Sequence, residues 1–257
     1  MARTVDLNAD MGESFGPWTM GDDAALLKII SSANVACGGH AGDPMVMAQT
    51  VRAALENGVA IGAHPGFPDK QGFGRYDLAM PPVEAARMVQ YQIGALQAIA
   101  RAEGARVTHL KLHGALANMA GRDEELARAC YEAALAVDPD LVIFTIAATA
   151  QERAANSLGA RYANEIFADR AYNPDASLVK RSIPGAVIHD AEIAATRVLE
   201  MVDKGSLLPA NSDPVPTRID TICLHGDTAG AVAIARSVRD ILEGGGWSIG
   251  AGYLSKE

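Results

Sequence analysis

Seven short apolar runs alternate with seven helical patterns along this chain, and six of the runs break off into clusters of His, Asp, Asn, Lys and Gly. The strand-like runs lie near residues 4–8, 33–37, 59–63, 107–112, 141–145, 161–166 and 218–224. Apolar residues at three and four spacing mark helices near 22–30, 44–57, 82–102, 123–137, 147–158, 190–202 and 228–242. Asp43 before Pro44 reads as a helix start, and Gly58 and Gly104 read as helix stops. Strict alternation demands parallel strands joined by right-handed crossovers, closed as a barrel or open as a doubly wound sheet. An open sheet gathers its site at one crevice, so polar endings on nearly every strand predict a closed mouth. The expected fold is α/β, a seven-stranded (β/α) barrel forming a single domain over residues 1–257.

Strand alternation turns that outline into geometry, because side chains two apart share a face. Asp6, Asn8 and Asp10 fall opposite Val5 and Leu7; His109, Lys111 and His113 fall opposite Leu110 and Leu112; Cys223, His225 and Asp227 form a third set. With the leucines packed on the helix layer, these polar sets face the lumen near its mouth. The irregular stretches 65–81 and 170–188 are expected to be active-site loops, and 205–217 a connection across the bottom.

Several function classes fall away on composition. Twenty-two basic against 31 acidic residues give a formal charge of −9, the wrong sign for a nonspecific nucleic-acid binder. Cys37, Cys130 and Cys223 are far apart and odd in number, which predicts reduced thiols in a cytoplasmic protein. No apolar run approaches the ~18 residues of a membrane span, and Asp6 leaves no room for a secretory apolar region. Neither a Gly-x-x-x-x-Gly-Lys-[Ser/Thr] loop nor a strand-linked Gly-x-Gly-x-x-Gly is present, so any nucleotide is expected to bind through side chains at the mouth.

The clusters carry the candidate chemistry. His40 and His64 each follow a strand and flank glycines, in equivalent positions. Lys111, inward between two histidines, needs a carboxylate partner from the first strand if it is to stay charged. Asp169 and Arg170 are either a structural loop pair or part of the site, with Lys180 and Arg181 adding positive charge nearby. His109 reads as a hydrogen-bonded core residue, His189 as a helix-start residue without a role, and Cys37 as a small packing residue. Asp10, His40 and His64 also compose a mixed N and O metal triad, although no His-x-x-x-His or His-Glu-x-x-His pair supports it; no metal ligand is assigned.

Longer strings narrow the choice. DLNADMGESFG, SANVACGGHAGDP, VAIGAHPGFPD, GFGR, YQIGAL, HGAL, EIFADRAY, IPGAVI and CLHGD follow one another in the order of the LamB/YcsF family. The chain resembles that family from Asp6 to about Ile249. The resemblance implies a distorted (β/α)7 barrel of the glycoside hydrolase/deacetylase type. It also implies 5-oxoprolinase activity: opening of 5-oxo-L-proline to L-glutamate, coupled to hydrolysis of ATP, with Mg, to ADP and phosphate, in complex with separate B and C subunits. Catalytic roles are then expected of Asp10, His40, His64, Lys111 and His113. Substrate or phosphate contacts are expected of Asn8, Glu13, Arg75, Asp169, Arg170, His225 and Asp227. The chain departs from the family pattern at Gly39, Leu112, Ala117 and Lys180, where Phe, Pro, an aromatic and Pro are usual. Two other readings compete: a divalent-metal-dependent hydrolase or deacetylase acting on a carbohydrate or N-acyl substrate, and a binding subunit without chemistry of its own.

Overall fold

A computed structural model describes residues 3–210, 212–226 and 230–255, and Asp227 lies outside the described residues. Six strands, β1 (Arg3–Met11), β2 (Ser32–Ala36), β3 (Ala60–His64), β4 (Val107–Lys111), β5 (Val142–Ile146) and β6 (Tyr162–Phe167), pair in sequence order, every pair parallel. A two-residue antiparallel pair, β7 (Ser206–Leu207) and β8 (Val215–Pro216), folds the bottom connection. β9 (Thr221–Leu224) then pairs in parallel with both β6 and β1 and closes the ring. The result is the seven-stranded parallel barrel that the alternation predicts. β10 (Trp247–Ile249) adds to the outer edge of β1.

Helices α1 (Asp23–Leu26), α2 (Pro44–Glu56), α3 (Pro82–Ala102), α4 (Gly114–Ala120), α5 (Glu124–Val137), α6 (Ala150–Ser157), α7 (Ala191–Lys204) and α8 (Ala231–Gly244) surround it. Asp43, Asp123 and Asp190 cap α2, α5 and α7 by accepting hydrogen bonds from first-turn amides. Outward residues such as Leu7, Val35, Ile61, Leu110, Ile143, Ile166 and Ile222 bury completely, or nearly so, against this layer. Among the described residues no helix is long and apolar enough to cross a membrane. All three cysteines are free and buried.

Three boundaries differ from the sequence reading. β1 runs on to Met11, so Asp10 sits inside the ladder opposite Asn34 rather than in a loop; inward polar residues had broken the apolar pattern. The helix expected over 22–30 is reduced to α1, because Ser31 already bonds the Leu7 carbonyl and leaves Leu27, Ile29 and Ile30 to bury in a turn. α4 is an added helix of seven residues behind His113, too short and too rich in alanine to show a clear amphipathic period.

Inward residues form layers. At the bottom the Asp6 carboxylate accepts hydrogen bonds from Ser31, Ser32 and Thr221. Tyr253, on a 3-10 turn (Gly252–Leu254), plugs this end by packing on Phe144 and hydrogen bonding with Ser32 and His109. One layer up, His109 Nε2 meets Asn34 Oδ1 at 3.0 Å and its ring stacks on Phe144. Asp6 is therefore a floor residue and not a partner of Lys111.

Burial pushes the Asp6 carboxyl up to about 6, against hydroxyl hydrogen bonds that pull it down. The folded state thus holds this proton more tightly than the unfolded chain does. Stability from it is present below about pH 4 and is lost as pH rises through about 6, a swing of about 3 kcal/mol. Asp6→Asn removes the titration, so urea unfolding should show the variant gaining on the wild type by about 3 kcal/mol between pH 4 and 7. A difference that does not move with pH would place the charge elsewhere.

Gly62 makes room for His109: a Cβ there would lie 2.1 Å from the imidazole, which is walled in by Asn34 and Phe144. Gly62→Ala should cost about 2–3 kcal/mol of stability, read as a lower melting temperature, because neither the ring nor the strand can retreat.

Candidate active site

The mouth is organised around Lys111 Nζ, which lies 2.8 Å from Asp10 Oδ1, 3.0 Å from Glu165 Oε1, 3.0 Å from Cys223 Sγ and 3.3 Å from Asn8 Oδ1. Burial pushes its pKa down, but the carboxylates of Asp10 and Glu165 outweigh that and hold the ammonium charged. Asp10 responds in kind. Burial pushes its carboxyl up, and His64 and Lys111 more than reverse this, leaving it well below the ordinary carboxylate range. Asp10 is accordingly a fixed anion and a poor proton acceptor. Glu165, which sequence reasoning did not single out, contacts Lys111 from the other side; its sequence signal is a carboxylate two residues before Phe167, on the same strand face.

Beside this node, Glu13, His40, His64 and His113 pack together, all buried. His64 Nδ1 donates to the Lys111 carbonyl at 2.8 Å and His113 Nε2 donates to the Phe73 carbonyl at 2.8 Å. Their remaining nitrogens, His64 Nε2 and His113 Nδ1, face each other at 2.9 Å. His40 stacks on His113 with ring centroids 3.5 Å apart, and its Nε2 lies 3.2 Å from Glu13 Oε1. Burial pushes His40 and His113 well below the usual imidazole range, helped by the other rings of the cluster. Gly66 and Gly74 permit this density, since a Cβ on either would press within 2.7 Å of His40.

Across the mouth, His225 Nδ1 donates to Asp169 Oδ1 at 2.6 Å, which fixes the ring and leaves Nε2 for the cavity it lines. The carboxyl of Asp169 is held below its ordinary value, burial being outweighed by His225 and the nearby Arg181 and Arg170. Asp169 thus pairs with His225, and the Asp169–Arg170 pairing weighed from sequence is replaced. Arg170 instead donates to the Val179 carbonyl at 2.6 Å and the Ala186 carbonyl at 3.4 Å, which folds the loop 170–188 over the mouth.

These groups border a cavity of about 700 Å³. Asp10, Glu13, His64, Lys111, His113, Glu165 and His225 lie on its inner wall, and Arg75, Arg122, Arg170, Lys180 and Arg181 on its rim. The structure brings together nearly all of the expected site residues, with three changes of position. Asn8 stands one layer too deep to touch a ligand: its Nδ2 donates to Thr221, and its Oδ1 accepts from Asn34 and Lys111. Asp169 reaches the cavity only through His225. His40 turns away from the main cavity towards a second recess of about 390 Å³, walled by Phe15, Trp18, Met20 and Phe73. The triad of Asp10, His40 and His64 is divided between two carboxylates: His64 Nε2 lies 3.3 Å from Asp10 Oδ2, and His40 Nε2 lies 3.2 Å from Glu13 Oε1.

The LamB/YcsF family profile matches residues 5–254, nearly the whole chain. This chain belongs to the LamB/YcsF family. A relative from Ruegeria pomeroyi, the A subunit of 5-oxoprolinase, is 60% identical over 247 residues, covering 96% of this chain and 98% of the relative. The crystal structure of the lactam utilization protein from Thermus thermophilus superposes with a TM-score of 0.90 at 45% identity, covering 96% of this chain and 99% of that one. A Bdellovibrio bacteriovorus peptidoglycan deacetylase, 15% identical with a TM-score of 0.50, covers 100% of this chain and 57% of its own, and shares the barrel fold alone. Within this LamB/YcsF chain one departure from the family strings has a visible compensation. A Cβ on Gly39 would meet Gln92 Oε1 at 2.5 Å and the Gly66 carbonyl at 2.7 Å. Gln92 fills the space that a Phe at 39 would need, and clamps Gly66 through both its N–H and its carbonyl.

Proposed function

We propose that this chain is the A component of an ATP-dependent 5-oxoprolinase: a cytoplasmic hydrolase that opens the cyclic amide of 5-oxo-L-proline to L-glutamate, with ATP hydrolysed to ADP and phosphate, in complex with B and C subunits. The observation that carries this reading is the cationic rim of Arg75, Arg122, Arg170, Lys180 and Arg181 around a cavity in a chain of net charge −9. Such a rim selects a small anion, and 5-oxoproline is a carboxylate-bearing lactam. The naming of the Ruegeria pomeroyi relative supports the same substrate.

The chemistry follows from the inner wall. A lactam is a resonance-stabilised amide, and transfer of phosphate to its oxygen turns it into an electrophile that water can attack. Rim arginines take the carboxylate and phosphate charges. Lys111, held charged by Asp10 and Glu165, offsets the negative charge of the phosphoryl group on the lactam oxygen. His225, oriented by Asp169, takes the proton from the attacking water and returns it to the ring nitrogen as the C–N bond breaks, leaving γ-glutamyl phosphate, which a second water hydrolyses to L-glutamate and phosphate. Asp10, being so weakly basic, positions Lys111 and does not accept the proton. ATP and Mg enter as co-substrate and its counter-ion.

The test sets 5-oxo-L-proline with ATP against an N-acetylated sugar oligomer without ATP, using the chain with B and C subunits. Glutamate from the first and no acetate from the second supports the lactam reading. Acetate release without ATP, abolished by a chelator, makes the chain a metal-dependent deacetylase instead.

A further inference from the structure

We infer that Glu13, His64 and His113 form a binding site for one divalent transition-metal ion of the zinc class, with His40 positioning the carboxylate. The inference goes beyond the lactam reading and does not depend on it. Its first support is a proton count. The outer nitrogens of His64 and His113 both bond backbone carbonyls, and only an N–H can donate to a carbonyl. With those N–H groups turned outward, the two inner nitrogens face each other at 2.9 Å, with the Asp10 carboxylate 3.3 Å from His64 Nε2, and have room for at most one proton between them. Either a shared proton or a metal ion must lie between them.

The surroundings favour the metal. Glu13 Oε1 lies 3.7 Å from His113 Nδ1, and the ligand atoms of the whole cluster fall within 4.8 Å of one another. Ligands bound at 2.0–2.1 Å around a tetrahedral ion stand about 3.3 Å apart, so a small adjustment seats the ion. Two imidazoles with one carboxylate, each imidazole anchored through its other N–H to a backbone carbonyl, is the donor set and outer-shell pattern of such sites. The anchor for His113 is itself built at a cost: Phe73 holds φ at 54°, in the left-handed region, which turns its carbonyl onto His113 Nε2.

His40 plays a different part from the other two rings. Its plane is parallel to that of His113, with centroids 3.5 Å apart, so an ion in the plane of one ring cannot lie in the plane of the other. Its Nε2–H reaches Glu13 Oε1 at 3.2 Å and orients that carboxylate. Glu13, His64 and His113 all border the main cavity whereas His40 does not, which leaves the open coordination positions of the ion towards the ligand space.

The test titrates chelator-treated full-length protein with Zn²⁺ by calorimetry and with Co²⁺ by visible absorption. One ion per chain is expected, with cobalt bands characteristic of nitrogen and oxygen ligands. Glu13→Gln and His64→Asn should each weaken binding by more than ~10-fold, and His40→Asn by ~10–100-fold with the cobalt bands kept. If His64→Asn fails to fold, Glu13→Gln carries the test. His189→Asn, on the surface, and Cys223→Ser, in the neighbouring group of Asp10, Cys223 and His225, should bind as the wild type does. No stoichiometric ion in the wild type, meaning that the imidazoles share a proton, overturns the inference. So does binding that survives Glu13→Gln and His64→Asn, or that is lost in Cys223→Ser. The readout is binding, so its failure leaves the lactam reading standing, and failure of that reading leaves the metal site standing.

Discussion

Lys111→Met is expected to lower stability by about 3–5 kcal/mol and to cut glutamate formation by about 10²–10³-fold. Both effects have one origin. The ammonium sits between Asp10 and Glu165, which are buried or nearly so, with Asn8 and Cys223 completing its surroundings. Methionine fills much the same volume but leaves two carboxylates facing each other without a counter-ion. The cost is therefore that of stranded buried charge rather than of a cavity. In turnover, the cation that offsets the phosphoryl charge on the lactam oxygen is gone as well. Urea unfolding and glutamate assay of the same preparation separate the two effects. A variant as stable as the wild type would mean that the Lys111 ammonium is not the counter-ion on which Asp10 and Glu165 depend.

His225→Gln is expected to reduce turnover by about 10²–10⁴-fold with little change in folding, because the ring is at the mouth and its one strong bond is to Asp169. Asp169→Asn should reproduce much of that loss while keeping the imidazole in place, since the neutral amide neither fixes the tautomer nor stabilises the protonated ring. The two variants form a unit, so the double variant should be scarcely slower than His225→Gln alone. Full activity in Asp169→Asn would remove the pair from proton transfer. Additive losses would show two separate roles.

The barrel was legible because its two periods are local properties of the chain. Alternation of strand and helix patterns is enough to call for parallel strands, and polar endings on most strands are enough to close the ring. The period of two placed Asp6, Asn8 and Asp10 on one inward face correctly. Depth along the strand was not legible, because it depends on the stagger between strands. That stagger sends Asp6 to the floor beside Ser32 and Thr221, and puts Asn8 under Lys111 rather than against a ligand. Pairings made through space were hidden for a similar reason. Asp169 and Arg170 are adjacent in sequence but point to different partners, His225 and the 170–188 loop. Glu165 looked like one residue of an apolar strand until the closed ring brought it to Lys111. The gathering of His40, His64 and His113 required the ends of three neighbouring strands, β2, β3 and β4, to stand side by side in register, which the sequence does not state.

On the proposed function, lactam opening takes place in the cavity of this chain and is coupled there to ATP hydrolysis by the complex. The most direct measurement is the yield of L-glutamate and ADP from 5-oxo-L-proline and ATP, with B and C subunits, in the presence and absence of this chain. One glutamate per ADP is expected with the chain present, and no glutamate without it. Glutamate formed by B and C alone at the same rate would contradict it.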